Sequence, residues 1–427
     1  MTVSHGAKRM RHDAETVSMG RIGTGGVGVG PASGALSAAP AFAPALPFAL
    51  ASAEGILVGR GCVGCVDAGP EPLVRRARRL LAQSADAPAL VVGALAFDAG
   101  APAHLYRPAD ISRGTDRAGF AATFPLPVRP AAPPATRWEV TSEPSLEAYR
   151  AAVAEALARM ARGAGDLRKI VLSRSLKLTA DRPIDAEALL RVLARDLSVT
   201  AFCVPLPSGT GPRALVGATP ELLLSKRGAR VRSHPLAGSA RRASETGADR
   251  AAGEALCASE KDRREHREVV TAILDQLAPY CAELGAPGEP ELTRTASMWH
   301  LGTPISGRLR DTSPSALELA LLLHPTPAVC GTPREAAARA IAELEGYDRG
   351  FYAGAVGWCD GAGDGDWHVA IRCAELAGRR ARLYAGAGIV PGSDPVAEGE
   401  ETSAKFAALL TALGIDEQGR ALTETNA

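Results

Sequence analysis

This chain of 427 residues is poor in aromatics, at 4%, and has almost no excess charge of either sign. Lysine and arginine number 48 against 47 aspartates and glutamates, a net charge of +1. No basic stripe interleaved with aromatics runs along it, which argues against a nucleic-acid partner. No run reaches the roughly 18 apolar residues that cross a bilayer. The eight cysteines, at 62, 65, 203, 257, 281, 330, 359 and 373, are too scattered for a disulfide framework. A reduced cytoplasm is the expected compartment. Cys62 and Cys65 form a CxxC, but neither a second pair nor histidines follow at zinc-site spacing. The segment GRGCVGCVD therefore reads as a glycine-broken strand.

Hydrophobic residues make up 46%, enough for a sizeable core. Residues 1–45 are rich in Gly, Ala, Ser and Pro and bury too little to offset their ordering entropy, so they read as a disordered extension. Glycines and prolines break the apolar part of this segment, and its basic residues lie far upstream, which disfavours a signal peptide. No linker interrupts residues 46–415, which are expected to form one domain, followed by a short tail at 416–427. SLEAYRAAVAEALARMARG is an amphipathic helix with Tyr149, Val153, Leu157 and Met160 on one stripe. KIVLSRSLKL reads as a strand, and ALVGATPELLLSKRGARVRSHPLAG as two strands joined at Lys226-Arg227-Gly228. A long helix is expected from SEKDRREHREVV to about Leu284. GAVGWCDGAGDGDWHVAIRCAEL is a second hairpin, turned by Gly361 to Asp366. ARLYAGAGIV is a strand, and EETSAKFAALLTALG a terminal helix. Hairpins mixed with long helices argue for an α+β fold with mostly antiparallel sheets.

The stretch SEKDRREHREVV poses the functional question, since such a charged run is usually a solvated helix face. Yet Glu265 aligns with Val269 and Ile273, and His266 with Val270 and Leu274, so both extend the apolar stripe. Arg263, Arg264, Arg267 and Glu268 fall on the wet side. A buried carboxylate needs a partner, a network or a metal, although Glu265 also reads as a salt-bridged helix start. In DPVAEGEETSAKF, Glu398, Glu401 and Lys405 share one helical face. A hard cation such as Mg²⁺ takes one or two protein carboxylates plus water and substrate oxygens, and Glu265 and Glu401 could supply that pair. Gly238, Gly386 and Gly388 could bring backbone N–H groups close to an anion, or simply make turns. Arg372, in VAIRC, reads as a strand arginine that wants a carboxylate, from protein or ligand.

Taken together, these segments resemble the chorismate-utilising enzymes, and most closely the isochorismate synthases. The matching pieces run in family order: VVGALAFD, KIVLSRSL, LVGATPELLL, HPLAGSARR, SEKDRREHREVV, SMWHLGTPISG, LLHPTPAVCGTP, YAGAVGWCD with GDWHVAIRC, and LYAGAGIVPGSDPVAEGEET. The resemblance implies a four-layer α/β/β/α fold with two stacked, mostly antiparallel sheets and a Mg²⁺-dependent site between them. It implies that Lys169 activates water and Glu221 is the general acid. Glu265 and Glu401 would bind Mg²⁺, with Glu398 beside them through water. Gly238 and Ser239 match the loop for the ring carboxylate. Arg372, Tyr384 and the Gly386–Gly388 backbone match the region for the enolpyruvyl carboxylate, and His300 a histidine near the ring. Ala328 and Val329 would line the pocket, and Lys405 joins the substrate-binding set. SEKDRREHREVV would then be a solvated basic rim around an inward Glu265-His266.

Within the family, anthranilate synthases carry glutamine where Lys169 stands, and aminodeoxychorismate synthases a nucleophilic lysine where Ala237 stands. Water is therefore the expected nucleophile, with no glutaminase partner and a monomer as the working form. PLAGSARR looks most like the enzymes of catecholate-siderophore pathways, with menaquinone and salicylate routes open. A salicylate synthase, which goes on to eliminate pyruvate, is the nearest alternative. A non-catalytic chorismate-binding protein is a remote one.

Overall fold

The computed structural model describes residues 42–83, 89–115 and 135–422. The expected N-terminal extension lies outside the described residues up to position 41. Three sheets form, and every strand pairing among the described residues is antiparallel. The first has ten strands, with Lys169–Ala180, Arg380–Ile389, Cys373–Ala377, Arg213–Thr219, Thr200–Leu206 and Phe48–Ser52 adjacent in that order. The second has nine, with Arg230–His234, Leu222–Arg227, Gly365–Val369, Ala355–Asp360, Leu90–Leu95 and His104–Arg107 adjacent. A three-stranded sheet joins Leu236–Arg241, Met298–Gly302 and Glu291–Arg294.

Alternation along single strands shows why the sheets stack. In Phe48–Ser52, Phe48 and Leu50 enter a core shared with the second sheet, while Ala49 and Ala51 face helices on the other side. Phe202 and Val204 against Ala201 and Cys203 repeat the pattern. A strand buried on both faces needs apolar residues at every position, and Thr200–Leu206 has no exposed residue. Helices Ala186–Leu193 and Pro395–Leu413 cover the outer face of the first sheet. Glu260–Leu277 and Ala316–Leu323 pack on the second sheet's side. The result is the expected α+β arrangement of two sheets between helices. Removing one wholly buried anchor, such as Phe406 of the terminal helix, would cost about 3–5 kcal/mol.

Two sequence expectations need correction. The long helix stops at Leu277 rather than near Leu284, because Pro279 cannot supply the N–H that would continue it. Cys281–Gly285 instead pairs with Ile305–Leu309 as a strand. ALVGATPELLL is not one strand. Its first half, Arg213–Thr219, belongs to the ten-stranded sheet and its second, Leu222–Arg227, to the nine-stranded sheet. The turn at Gly228, with φ of +56°, joins the hairpin strands as expected.

Candidate active site

The site lies where the chain steps from one sheet to the other. Arg213–Thr219 leaves the first sheet at Pro220-Glu221 and continues as Leu222–Arg227 in the second. Its antiparallel neighbour makes the reverse step, from Gly365–Val369 to Cys373–Ala377 through residues 370–372. The two steps bond to each other: Val369 N–H donates to the Glu221 carbonyl (3.1 Å), and Ala218 N–H to the Arg372 carbonyl (3.0 Å). Arg372 is thus not on a strand. It turns the corner with φ of +51°, a conformation few non-glycine residues adopt and one that clusters at functional sites. The corner aims both side chains into one cavity.

Glu221 is 3% exposed, and burial pushes its carboxyl up to about 8, against the opposing pull of Lys169, the Leu236 backbone and Lys405. It therefore holds a proton near neutrality. Burial lowers the Arg372 guanidinium to about 10, with only partial support from Glu401 and Tyr352. Among the described residues no carboxylate forms an ion pair with it. His300, on the three-stranded sheet, is driven far below its ordinary value by burial and by the charges of Arg372 and Lys405. Its neutral ring leaves Nε2 buried without a partner.

A layer of carboxylates and lysines closes the cavity on one side. Glu260–Leu277 is capped by Ser259, whose hydroxyl accepts from Asp262 N–H. This sets Glu265 and His266 on the buried face. Glu265 Oε1 lies 3.0 Å from Lys169 Nζ, and Lys169 is fully buried. Gly388 makes room for that carboxylate, since a Cβ there would stand 2.0 Å from Glu265 Oε1. Helix Pro395–Leu413 starts with Asp394 as its cap and Pro395 in its first turn. Glu401 Oε1 accepts from Ser239 (2.8 Å) and meets Lys405 Nζ (2.6 Å), which also donates to the Gly386 carbonyl (2.8 Å). Burial would raise Glu401, but Lys405, Ser239 and Lys261 together bring it below the ordinary carboxylate value. Glu398 Oε1 takes Lys261 at 2.6 Å. Burial and the Glu401 charge raise Glu398, and its Oε2 is buried without a partner.

Each of the three carboxylates thus has a lysine on Oε1. Among the described residues no three acidic, histidine or cysteine side chains converge into a closed cation cage. An open site of two carboxylates, Glu265 and Glu401, that both line the cavity suits Mg²⁺, which keeps waters and takes substrate oxygens. The orphaned Glu398 oxygen lies one helical turn from Glu401.

The predicted residues divide clearly. Glu221, His300, Gly238, Ser239, Glu265 and Glu401 line the cavity. So do Ala328, Val329, Arg372, Tyr384, Gly386, Gly388 and Lys405. Lys169 and Glu398 stand behind the wall, touching Glu265 and Lys261 respectively. Gly238 has φ of +81° and sits not in a turn but at a bulge in the strand Leu236–Arg241. His266 is inward but does not reach the cavity. Its Nδ1–H donates to the Ala237 carbonyl (3.2 Å), so Nε2 accepts from Thr303 (2.7 Å), and burial lowers it to about 4.

Two residues were not anticipated. Lys261 was part of the expected solvated rim, but its long stem carries the amine inward to Glu398. Only the carboxylate 137 positions along the chain, on another helix, reveals that. Tyr352 lines the cavity and stacks on Tyr384, with ring centroids 4.8 Å apart and planes 7° from parallel. It stands in the quoted motif YAGAVGW, whose aromatic before two small residues was the available signal.

Comparisons with known proteins bear on the family and the fold. Residues 122–414 match the family described as chorismate binding enzyme. The chain is 47% identical over 386 residues to a putative isochorismate synthase, MenF, of Mycobacterium tuberculosis, covering 88% of this chain and 98% of that one. It is 44% identical over 381 residues to the isochorismate synthase DhbC of Bacillus subtilis, covering 86% and 94%. Among solved structures, a putative 2,3-dihydroxybenzoate-specific isochorismate synthase from Bacillus anthracis superposes with a TM-score of 0.79 at 39% identity, covering 86% of this chain and 96% of that one.

Proposed function

The chain belongs to the chorismate-binding enzyme family, and on that premise we propose that it is an isochorismate synthase, converting chorismate to isochorismate with Mg²⁺. The observation that carries the reading is one cavity combining a guanidinium without a protein partner and a carboxyl that keeps its proton to about pH 8. The first suits a carboxylate of the substrate, the second an acid for a leaving hydroxyl.

The reaction exchanges one water for another. Water adds to ring carbon 2, the C1=C2 pair moves to C1–C6, the C5=C6 pair moves to C4–C5, and the 4-hydroxyl departs. Glu221 gives its proton to that hydroxyl, which leaves as water. Lys169 takes the proton of the attacking water. Lys169 does not line the cavity, so the attacking water must reach its amine past Glu265, 3.0 Å from it, and as a base the amine acts in its neutral form. Arg372 and the stacked Tyr384–Tyr352 pair receive the enolpyruvyl carboxylate, while the strand bulge at Gly238-Ser239 orients the ring carboxylate. Glu265 and Glu401 would hold Mg²⁺, with Glu398 beside them. When bound, the ion supplies positive charge that neutralises and fixes the ring carboxylate.

Ala237, at the cavity wall, offers no amine nucleophile, which supports water as the attacking group. With no ammonia to deliver, the enzyme needs no glutaminase subunit, and it works as a cytoplasmic monomer. The PLAGSARR segment favours a siderophore pathway. Product identification from chorismate and Mg²⁺ tests the reading. Isochorismate alone is expected; salicylate with pyruvate would replace the proposal by a synthase–lyase, and no turnover would overturn it. Turnover that survives exhaustive chelation would remove the metal from it.

A further inference from the structure

The CxxC has no part in the chemistry above. Gly64-Cys65 forms the outer edge of the nine-stranded sheet, pairing with Tyr106 and Arg107. Backbone bonds pin the bend at both ends: Val63 N–H donates to the Arg107 carbonyl (2.9 Å), and Val66 N–H to the Leu105 carbonyl (2.8 Å). The bend brings the Cys62 and Cys65 sulfurs within 3.8 Å. Cys65 is exposed and Cys62 half-buried, with Val63 between them 53% exposed, so reagents in solution reach the pair. The contrast with the other cysteines is sharp. Cys203, Cys281, Cys330, Cys359 and Cys373 are buried, and Cys257 is half-buried. A metal centre is the poorer use of the pair. Two thiolates fall short of the four ligands of a structural zinc site, and among the described residues no third ligand joins them.

We propose that Cys62 and Cys65 are a redox-active dithiol that exchanges with low-molecular-weight disulfides and closes into an intramolecular disulfide. Cys62 attacks as the thiolate. The Cys65 thiol donates to it and the Gly64 backbone supports it, which lowers Cys62 while Cys65 is raised. The Cys62 thiolate displaces one thiolate from the small disulfide and forms a mixed disulfide. Cys65 then loses its proton to solvent, attacks the Cys62 sulfur and releases the second thiolate. Two protein thiols become one disulfide, and one small disulfide becomes two thiols. Closure needs the sulfurs to approach by about 1.8 Å, to the bonding distance. Both are side chains at an exposed bend flanked by Gly61 and Gly64, which lets rotation supply the movement. Such exchange fits a compartment where disulfides are transient rather than structural.

The test uses the reduced full-length protein, equilibrated with oxidised and reduced glutathione at a series of ratios. After acid quench and alkylation, the tryptic peptide from Gly61 to Arg75 is weighed. The expected result is a peptide lighter by two hydrogens, unalkylated, and restored by reductant. Cys65→Ser should instead trap one glutathione on Cys62, since the resolving thiol is gone. A wild-type peptide that remains a dithiol, or carries two glutathiones, across the whole series would overturn the proposal. So would a Cys65→Ser protein that never accumulates the mixed disulfide. The wild-type measurement stands without the variant. Because the pair lies away from the cavity, Cys65→Ser should turn over chorismate as wild type does, which separates this result from the fate of the functional reading.

Discussion

Arg349 and Arg372 are both buried, at 3% and 8% exposure, and both serve the same cavity. Their surroundings differ in every other respect. Arg349 donates through Nε to Glu345 (2.8 Å), through Nη1 to the Val329 carbonyl (2.8 Å) and through Nη2 to the Val171 carbonyl (2.7 Å). It also lies 4.2 Å from the Phe97 ring centroid. Burial alone would lower its charge state, but Glu345 lifts it above the ordinary arginine value. Val171 and Val329 line the cavity, so Arg349 holds the wall in place without lining it. Arg372 lines the cavity itself and forms no ion pair with a carboxylate of the described residues. A buried charge that is fully bonded is part of the frame. One left unbonded, on a backbone that few residues tolerate, awaits a ligand.

The comparison can be broken in several ways. The largest effects belong to the two groups that move protons. Lys169→Gln and Glu221→Gln should each lower kcat by about 10²–10⁴-fold while the fold and chorismate binding persist. Near-wild-type turnover of Lys169→Gln would remove it as the base and reopen the identity of the nucleophile. Next is Arg349→Met, which strands the Glu345 carboxylate in the interior. Loss of one partner of a buried pair costs about 3–5 kcal/mol, readable as a lower urea midpoint at unchanged slope.

Arg372→Leu should behave oppositely. It removes a charge whose burial Glu401 and Tyr352 only partly offset in the free protein, so the melting temperature should hold or rise. A charged hydrogen bond to substrate is worth about 1.5–3 kcal/mol, so kcat/KM should fall about 10–100-fold. Marked destabilisation of this variant would show that Arg372 belongs to the frame after all. The smallest effect is on pH. Glu221 acts as an acid only while protonated, and its carboxyl is pushed up to about 8. Turnover should therefore fall as pH rises through that value, by about tenfold per unit above it. Glu221→Gln should abolish this alkaline limb. A profile flat to well beyond that pH would move the acid role elsewhere.

Much of this was legible in local pattern. The 3.6-residue period put Glu265 on the line of Val269 and Ile273, and all three are buried. Lys226-Arg227-Gly228 marks a hairpin turn, and the strands on either side of it pair. Pro279 is itself a local helix stop, and the helix ends two residues before it. The corner at Arg372 was hidden for a better reason. Val369 to Cys373 reads as one apolar run, and nothing local says that its two ends belong to different sheets. Lys261 was misread for the same reason, since its partner Glu398 lies on the terminal helix.

By itself, the sequence determined the elements and the faces they bury, because side-chain period and capping depend on residues within a turn or two of each other. The ordered motifs also named most of the side chains that the cavity gathers, although Lys169 and Glu398, which they named too, stand outside it. Tertiary structure alone decided which charges are satisfied: Lys169 beside Glu265, Lys405 beside Glu401, Arg349 inside a complete set of acceptors, and Arg372 with none. Satisfaction is a property of pairs brought together by sheet crossing and helix packing, and those pairs are far apart along the chain. The low dielectric that makes an unpaired buried charge costly exists only once the sheets have closed over it.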